Sequence, residues 1–346
     1  MRKRWAVKPQ GDQEKIKRIS EALKIEPDLA NLLVQRGIES YEDARNFFRP
    51  SLEKLHDPFL MKDMYAAISR IMEAVRNRER IMIYGDYDVD GTSAVALVYT
   101  FLSTFHPEMD FYIPDRYNEG YGISFRSIDY AYETNVKLII ALDCGIKAVE
   151  KVAYASSRGI DFIICDHHRP GAELPAAVAV LDPKRSDCCY PYKELSGCGI
   201  GFKLIQAYAR VNNIPFDKLI QYLDLVVISI ASDIVDITGE NRILAFYGLK
   251  LINSRPRPGI EALLKFSAIR KNDESNGGCV FNRELTISDL VFLIGPRINA
   301  AGRIESGINS VKLLITQSHE EAKQVAEQIN RSEEHTSELQ SPNTIS

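Results

Sequence analysis

The chain has 346 residues, 45% hydrophobic and 26% charged, with a formal net charge of −4. That is the composition of a globular protein with room for a large core and more than one domain, and it argues against a generally basic nucleic-acid binder. No run of 18 apolar residues occurs, so no membrane-spanning helix is expected. The basic start Met1-Arg2-Lys3-Arg4-Trp5 lacks the apolar continuation of a secretory signal. The six cysteines, Cys144, Cys165, Cys188, Cys189, Cys198 and Cys279, form no Cys-x-x-Cys pair. A cytoplasmic protein without disulfides or a zinc site is expected.

In chain order, residues 1–78 read as a helical N-terminal region. Helices are predicted over Asp12–Leu23, Pro27–Gly37, Tyr41–Phe47 and Ala66–Arg78, the last with Ile68, Ile71, Met72 and Val75 on one face. From Arg80 strands and helices alternate. Strands are predicted over Ile81–Tyr84, Asp110–Ile113, Leu138–Leu142, Phe162–Cys165 and Val178–Leu181. Helices are predicted over Ser93–Phe105, Ser124–Glu133, Lys147–Arg158 and Gly201–Asn212. Short strands of nearly continuous Ile, Leu and Val are buried on both faces, so an α/β domain over 79–236 is expected, a parallel five-stranded sheet with helices on both faces. An apolar helix, Tyr222–Ile230, closes it. Residues 237–330 read as a helical extension, with helices at Asn241–Ile252, Gly259–Phe266 and Ser318–Asn330 and a loop over 271–284. The polar residues 331–346 break the preceding helical pattern. They look like the in-frame translation of a sequencing-library adapter, so the natural chain is expected to continue past about residue 330.

The chemistry concentrates in Ile81-Met82-Ile83-Tyr84-Gly85-Asp86-Tyr87-Asp88-Val89-Asp90-Gly91-Thr92-Ser93, where a strand runs into three alternating aspartates at a helix start. Counted as an EF-hand loop from Asp86, position twelve would be Leu97 rather than the required glutamate, and the preceding run is strand-like. Two further strands end in Asp143-Cys144-Gly145 and Asp166-His167-His168, and the apolar helix ends at Ala231-Ser232-Asp233-Ile234-Val235-Asp236. The carboxyl ends of parallel strands lie on one edge, so Asp88, Asp90, Asp143 and His167 can converge there. A lone strand-end carboxylate is commonly a helix cap or a turn residue; three successive ones are harder to explain that way. Carboxylates and imidazole without thiolate suit Mn²⁺ or Mg²⁺, and a shared carboxylate, for which Asp143 is the natural candidate, would hold two ions in the manner of two-metal phosphoesterases.

Asp-Tyr-Asp-Val-Asp-Gly-Thr, Leu-Asp-Cys-Gly, Asp-His-His and Ala-Ser-Asp-Ile-Val-Asp, in this order, resemble the motifs of the DHH phosphoesterase superfamily, and most closely those of the bacterial RecJ family of single-strand-specific 5′→3′ DNA exonucleases. The segments Ile113–Gly122 and Gly295–Arg303 are similar to two further RecJ stretches, and the resemblance spans about residues 45–330. It implies a hydrolase of phosphodiester bonds that acts on single-stranded DNA in repair and recombination by means of a water activated by two divalent ions, Mn²⁺ or Mg²⁺. A monomer is implied, with single-stranded DNA, a single-strand-binding protein and a helicase as partners. The catalytic residues would be Asp88, Asp90, Asp143, His167, His168 and Asp233. The metal ligands would be Asp86, Asp88, Asp90, Asp143, His167 and Asp233, with Asp166 orienting an imidazole.

Where more distant members of the superfamily have a first-metal histidine, this chain has Tyr84, which speaks against a full two-ion site. Arg116, Arg297 and Arg303 would hold the phosphates of the DNA, since a guanidinium fork matches phosphate. Tyr117 and Tyr121 are candidates to stack on bases. Family members continue into a DHHA1 domain and an OB-fold; neither is found in this sequence, so weak or absent processive cleavage is expected from the chain alone. A phosphoesterase of small nucleotides or oligoribonucleotides and a non-catalytic DNA-binding scaffold are the alternatives. The arginine-bearing segments argue against the first and the intact acidic motifs against the second.

Overall fold

A computed structural model describes residues 6–272, 279–304 and 307–340, with side chains described for 6–272, 279–300 and 307–330. Residues 1–5, part of the 271–284 loop, the side chain of Arg303 and residues 341–346 lie outside the described set. The chain forms two compact units that divide after Leu55. The first holds α1 (Gln13–Leu23), α2 (Pro27–Val34) and α3 (Tyr41–Phe48). Asp12 caps α1 and Ser40 caps α3 through bonds to backbone amides. Ile16, Ile19, Ala30, Leu33, Val34, Ile38 and Ala44 close its small core.

The second unit is organised around β1 (Arg80–Gly85), β2 (Met109–Tyr112), β3 (Val136–Leu142), β4 (Asp161–Cys165) and β5 (Ala179–Leu181). All four pairings are parallel, and the order is β2-β1-β3-β4-β5. Alternation along the strands feeds both faces. Met82, Tyr84, Ile139, Ala141, Phe162, Ile164 and Val180 share one cluster with Ile128 and Ala131 of α6 (Phe125–Glu133) and Val152 and Ala155 of α7 (Val149–Ser157). The alternate residues Ile81, Ile83, Leu138, Ile140, Leu142, Ile163 and Leu181 are fully buried on the other side. There α4 (Met64–Asn77), α5 (Val89–Leu102) and α8 (Gly197–Val211) pack on the strands. The helix α4, read with the N-terminal region, packs on β3, β5 and α8 and falls in the compact unit that begins at His56.

After the short α9 (Asp217–Ile220), α10 (Leu223–Ser232) lies against α5 and α8. The extension adds α11 (Gly239–Ser254), α12 (Pro258–Leu264), the single turn α13 (Ile287–Asp289), a π-helical turn Leu290–Ile294, α14 (Gly295–Ile304), α15 (Gly307–Ile315) and α16 (His319–Gln340). The π turn and α14 pack on α10, and α15 packs on α5, which brings the extension to the sheet domain. The expected break at Arg331 is not seen: the backbone stays helical to Gln340, over a stretch that contains Glu333, Glu334, Glu338 and Leu339 and no proline.

Candidate metal centre

Strand order reverses between β1 and β3, and the crevice at such a reversal, beyond the carboxyl ends of the strands, is where open α/β sheets bind ligands. Asp86 and Asp88 follow β1, Asp143 follows β3, and His167 and His168 follow β4. Asp233 ends α10. These residues meet. His167 Nε2 lies 3.2 Å from Asp143 Oδ1, 3.5 Å from Asp233 Oδ2 and 3.7 Å from Asp90 Oδ2. Asp90, His167 and Asp233 offer ligand atoms all within 4.8 Å of one another, and so do Asp143, His167 and His168. The Asp88 carboxylate is close enough to Asp143 to help raise its pKa.

The backbone explains the convergence. α5 begins at Val89, four residues before the predicted start, because the Asp88 side chain accepts the Gly91 amide at 2.9 Å and caps it. Asp90 is thereby placed in the first helical turn. A Cβ on Gly91 would stand 2.5 Å from the Asp86 carbonyl oxygen, so only glycine lets the helix fold back over the strand end. Asp143 has φ +59°, a left-handed conformation that costs a non-glycine residue about 1 kcal/mol or more. Its amide donates to the Cys165 carbonyl at 2.8 Å.

Three residues that sequence reasoning does not single out hold Asp90, and a fourth backs them. The amides of Gly197 and Cys198 donate to its two oxygens at 2.7 Å each, and the Ser229 hydroxyl donates at 2.7 Å. Ser196 caps α8, and its hydroxyl lies in hydrogen-bond contact with that of Ser229 at 2.6 Å. The available signal is Ser196-Gly197-Cys198-Gly199-Ile200-Gly201, a cap residue before alternating glycines. A start of α8 at Gly201 overlooks it. A Cβ on Gly197 would fall 2.6 Å from Asp143 Cβ, so this helix end approaches the site as closely as backbone allows. Asp182, at the end of β5, is likewise overlooked. It is fully buried with Oδ2 unpartnered, and burial pushes its pKa up to about 7.

The electrostatics are those of crowded acids. Burial, then the neighbouring Asp88 carboxylate, pushes Asp86 up to about 7. Burial and then Asp90 raise Asp233 to about 7, and the same two causes lead in holding Asp143 well above the usual carboxylate range. Burial lowers the pKa of His167, which favours the neutral imidazole that binds metal. Both oxygens of Asp86, Oδ1 of Asp143 and both ring nitrogens of His167 are buried with no hydrogen-bond partner. Such groups are normally satisfied, and an oxygen-rich set with one imidazole fits a hard divalent cation.

Asp166 is buried and differs in role. It accepts from His168 Nδ1 at 2.8 Å and from the amides of Ile146, His167 and His168. The bond with Asp166 raises the His168 pKa, while that of Asp166 lies below the usual range because His168 and these amides outweigh its burial. The Tyr84 hydroxyl donates to the Gly122 carbonyl at 2.8 Å, and its ring stacks on Tyr112 in the core, away from the ligand atoms. Arg116 is exposed and lies over the Tyr87 ring at 5.2 Å, beside the acidic loop. Tyr117 and Tyr121 are exposed. Arg297 donates to the carbonyls of Leu293 and Phe266, so part of its guanidinium is engaged by backbone. Arg303 lies on α14, whose first residue, Gly295, abuts Ser232, next to Asp233.

Residues 80–230 match the family model described as the DHH family, N-terminal domain. The single-stranded-DNA-specific exonuclease RecJ of Bacillus subtilis (strain 168) is 40% identical over 328 residues, 95% of this chain and 39% of that protein. The structure of RecJ from Thermus thermophilus in complex with Mn²⁺ superposes with a TM-score of 0.79 at 24% identity, over 97% of this chain and 46% of that one, a likeness of fold. A structure of exonuclease RecJ bound to manganese gives 0.71 at 27% identity, over 84% and 69%. Fold and motifs together define a DHH-family protein. Within that family the chain belongs with RecJ, and it spans well under half the length of its Bacillus relative.

Proposed function

We propose that this chain carries the metal centre of an exonuclease that removes nucleotides from the 5′ end of single-stranded DNA, in repair and recombination. The observation that carries the reading is the gathering of Asp90, Asp143 and Asp233 around a buried His167 whose two ring nitrogens have no hydrogen-bond partner. The similarity to single-stranded-DNA-specific exonucleases supplies the substrate class.

On this reading Asp90, Asp143, His167 and Asp233 would hold one Mn²⁺ or Mg²⁺, and Asp86 and Asp88 would contribute ligands to a second. The ions would supply Lewis acidity, lowering the pKa of water and polarising the phosphoryl oxygen. The chain's own groups do the rest. Asp166, ionised, fixes the His168 ring through Nδ1 and favours its charged form, so His168 Nε2 carries a proton toward the oxygen that departs. Arg116, backed by Tyr87, faces outward to take a backbone phosphate, with Arg297 and Arg303 on the extension as further phosphate contacts. Single-strand-binding protein and a helicase are the expected partners.

The test is paired. Mn²⁺ should raise the melting temperature of the chain, and Asp143→Ala and His167→Ala should lose that rise together with release of nucleotides from a 5′-phosphorylated single strand. Unchanged melting with Mn²⁺, or undiminished cleavage in either variant, overturns the reading. Digestion of dinucleotides but not of longer strands would favour a small-nucleotide phosphoesterase.

A further inference from the structure

The last carboxylate of the candidate ligand set is followed by backbone that its sequence does not favour. Asp233 closes α10, and the next residue, Ile234, has φ +57°. A left-handed residue just past a helix end is a position for glycine or asparagine, and a β-branched side chain there is an outlier. Burial does not compensate it, because Ile234 is 84% exposed.

The turn is held from further along the chain. Two side chains from different segments converge on one carbonyl, that of Asp236. The Tyr192 hydroxyl donates to it at 2.9 Å, and Asn241 Nδ2 donates to it at 3.0 Å. Both donors are anchored. Asn241 is fully buried on α11, and its Nδ2 also donates to the Glu194 carbonyl at 2.5 Å, which ties residue 236 to the segment that leads into α8. The Tyr192 ring lies so close to Gly239 that a Cβ there would stand 2.7 Å from it. α10 fixes one end of the span 233–236 and this clamp fixes the other, so the turn at Ile234 is set by its ends rather than by its own preference. We infer that Tyr192 and Asn241 are positioning residues: by gripping the Asp236 carbonyl they hold Ile234 in a conformation it would otherwise leave, and so keep the Asp233 carboxylate beside His167, 3.5 Å from Nε2. The inference rests on the reading of Asp233 as a metal ligand. Without the clamp, Ile234 returns to the right-handed or extended region, the chain after α10 turns, and Asp233 leaves the ligand set.

The experiment measures the Mn²⁺ affinity of the 346-residue chain by calorimetry. Tyr192→Phe removes one hydroxyl and keeps the ring. It should weaken Mn²⁺ binding about tenfold, the size of the penalty that a side chain meets in the left-handed region. Asn241→Ala should weaken it likewise. Adding Ile234→Gly to Tyr192→Phe should return the affinity to within about twofold of the unaltered chain, because glycine takes the turn without help. Adding Ile234→Val should not, since valine keeps the branched Cβ. A merely structural role predicts no rescue by glycine, which adds freedom to the unfolded chain and would further weaken a destabilised protein. The positioning role is overturned if either clamp variant binds Mn²⁺ as the unaltered chain does, or if glycine and valine act alike. If the unaltered chain binds no Mn²⁺, or if Asp233→Ala binds it as tightly, the reading of Asp233 as a ligand falls instead, and the positioning role with it.

Discussion

Replacing Asp86 by asparagine should make the metal-free protein more stable, with a pH dependence that identifies the cause. The carboxylate is fully buried, both oxygens lack partners, and its pKa is pushed from 3.8 to about 7. At about 1.4 kcal/mol per pH unit, that gap makes the ionised group cost about 4 kcal/mol. The sign follows from proton binding. Between pH 4 and 7 the unfolded chain is ionised here while the folded chain keeps its proton, so stability falls as pH rises through this window and levels off above it. Asp86→Asn removes the term. In a chelator at pH 8 it should unfold at higher urea concentration, by about 2–4 kcal/mol, the lower figure allowing for charge shared with Asp88. The advantage should shrink by more than half at pH 5. Mn²⁺ at about a thousand times Kd should reverse the order, because the unaltered protein then gains about 4.1 kcal/mol from the ion. Equal stability in the chelator at pH 8, or an advantage that does not change with pH, would refute the reasoning.

Gly197→Ala should push Asp143 out of place, since the new methyl group would stand 2.8 Å from its Oδ1; a fall in Mn²⁺ affinity of about 10- to 100-fold, the range seen when groups supporting a metal site are lost, is expected by calorimetry. Lys203→Met should cost about 3–5 kcal/mol in urea unfolding, because Glu240, 2.6 Å away and equally buried, would be left uncompensated, whereas Lys203→Met/Glu240→Leu should recover much of the loss. Asp166→Asn should lower the His168 pKa, visible as an earlier midpoint in its imidazole NMR titration in chelator as pH rises from acid; an unmoved midpoint would show that Asp166 does not hold the charged ring.

Much of this was legible because the signals were local. Five short apolar runs gave five strands, and carboxylates at strand ends of one parallel sheet must share an edge. What stayed hidden depends on contacts distant in sequence. Nothing near Asp90 announces that Gly197, Cys198 and Ser229 will hold its two oxygens, because the partners lie more than a hundred residues away. The start of α5 was misjudged because Asp88, read only as a ligand, is also the cap. Tyr84 stood out as a replaced ligand, yet its pairing with Gly122 and Tyr112 shows a side chain turned into the sheet's other face. The helical character of 295–304 was obscured by Gly295 and Pro296, which begin the helix rather than interrupt it.

The two amides that hold Asp90 have a consequence for the protein between encounters with metal. They are the first donors of α8, a fifteen-residue helix whose peptide dipoles put positive potential at that end. The acidic basin therefore has a resident counter-charge that cannot diffuse away or be chelated. An empty centre is thus cushioned against its own repulsion, and loading and loss of ions can proceed without the sheet edge springing apart.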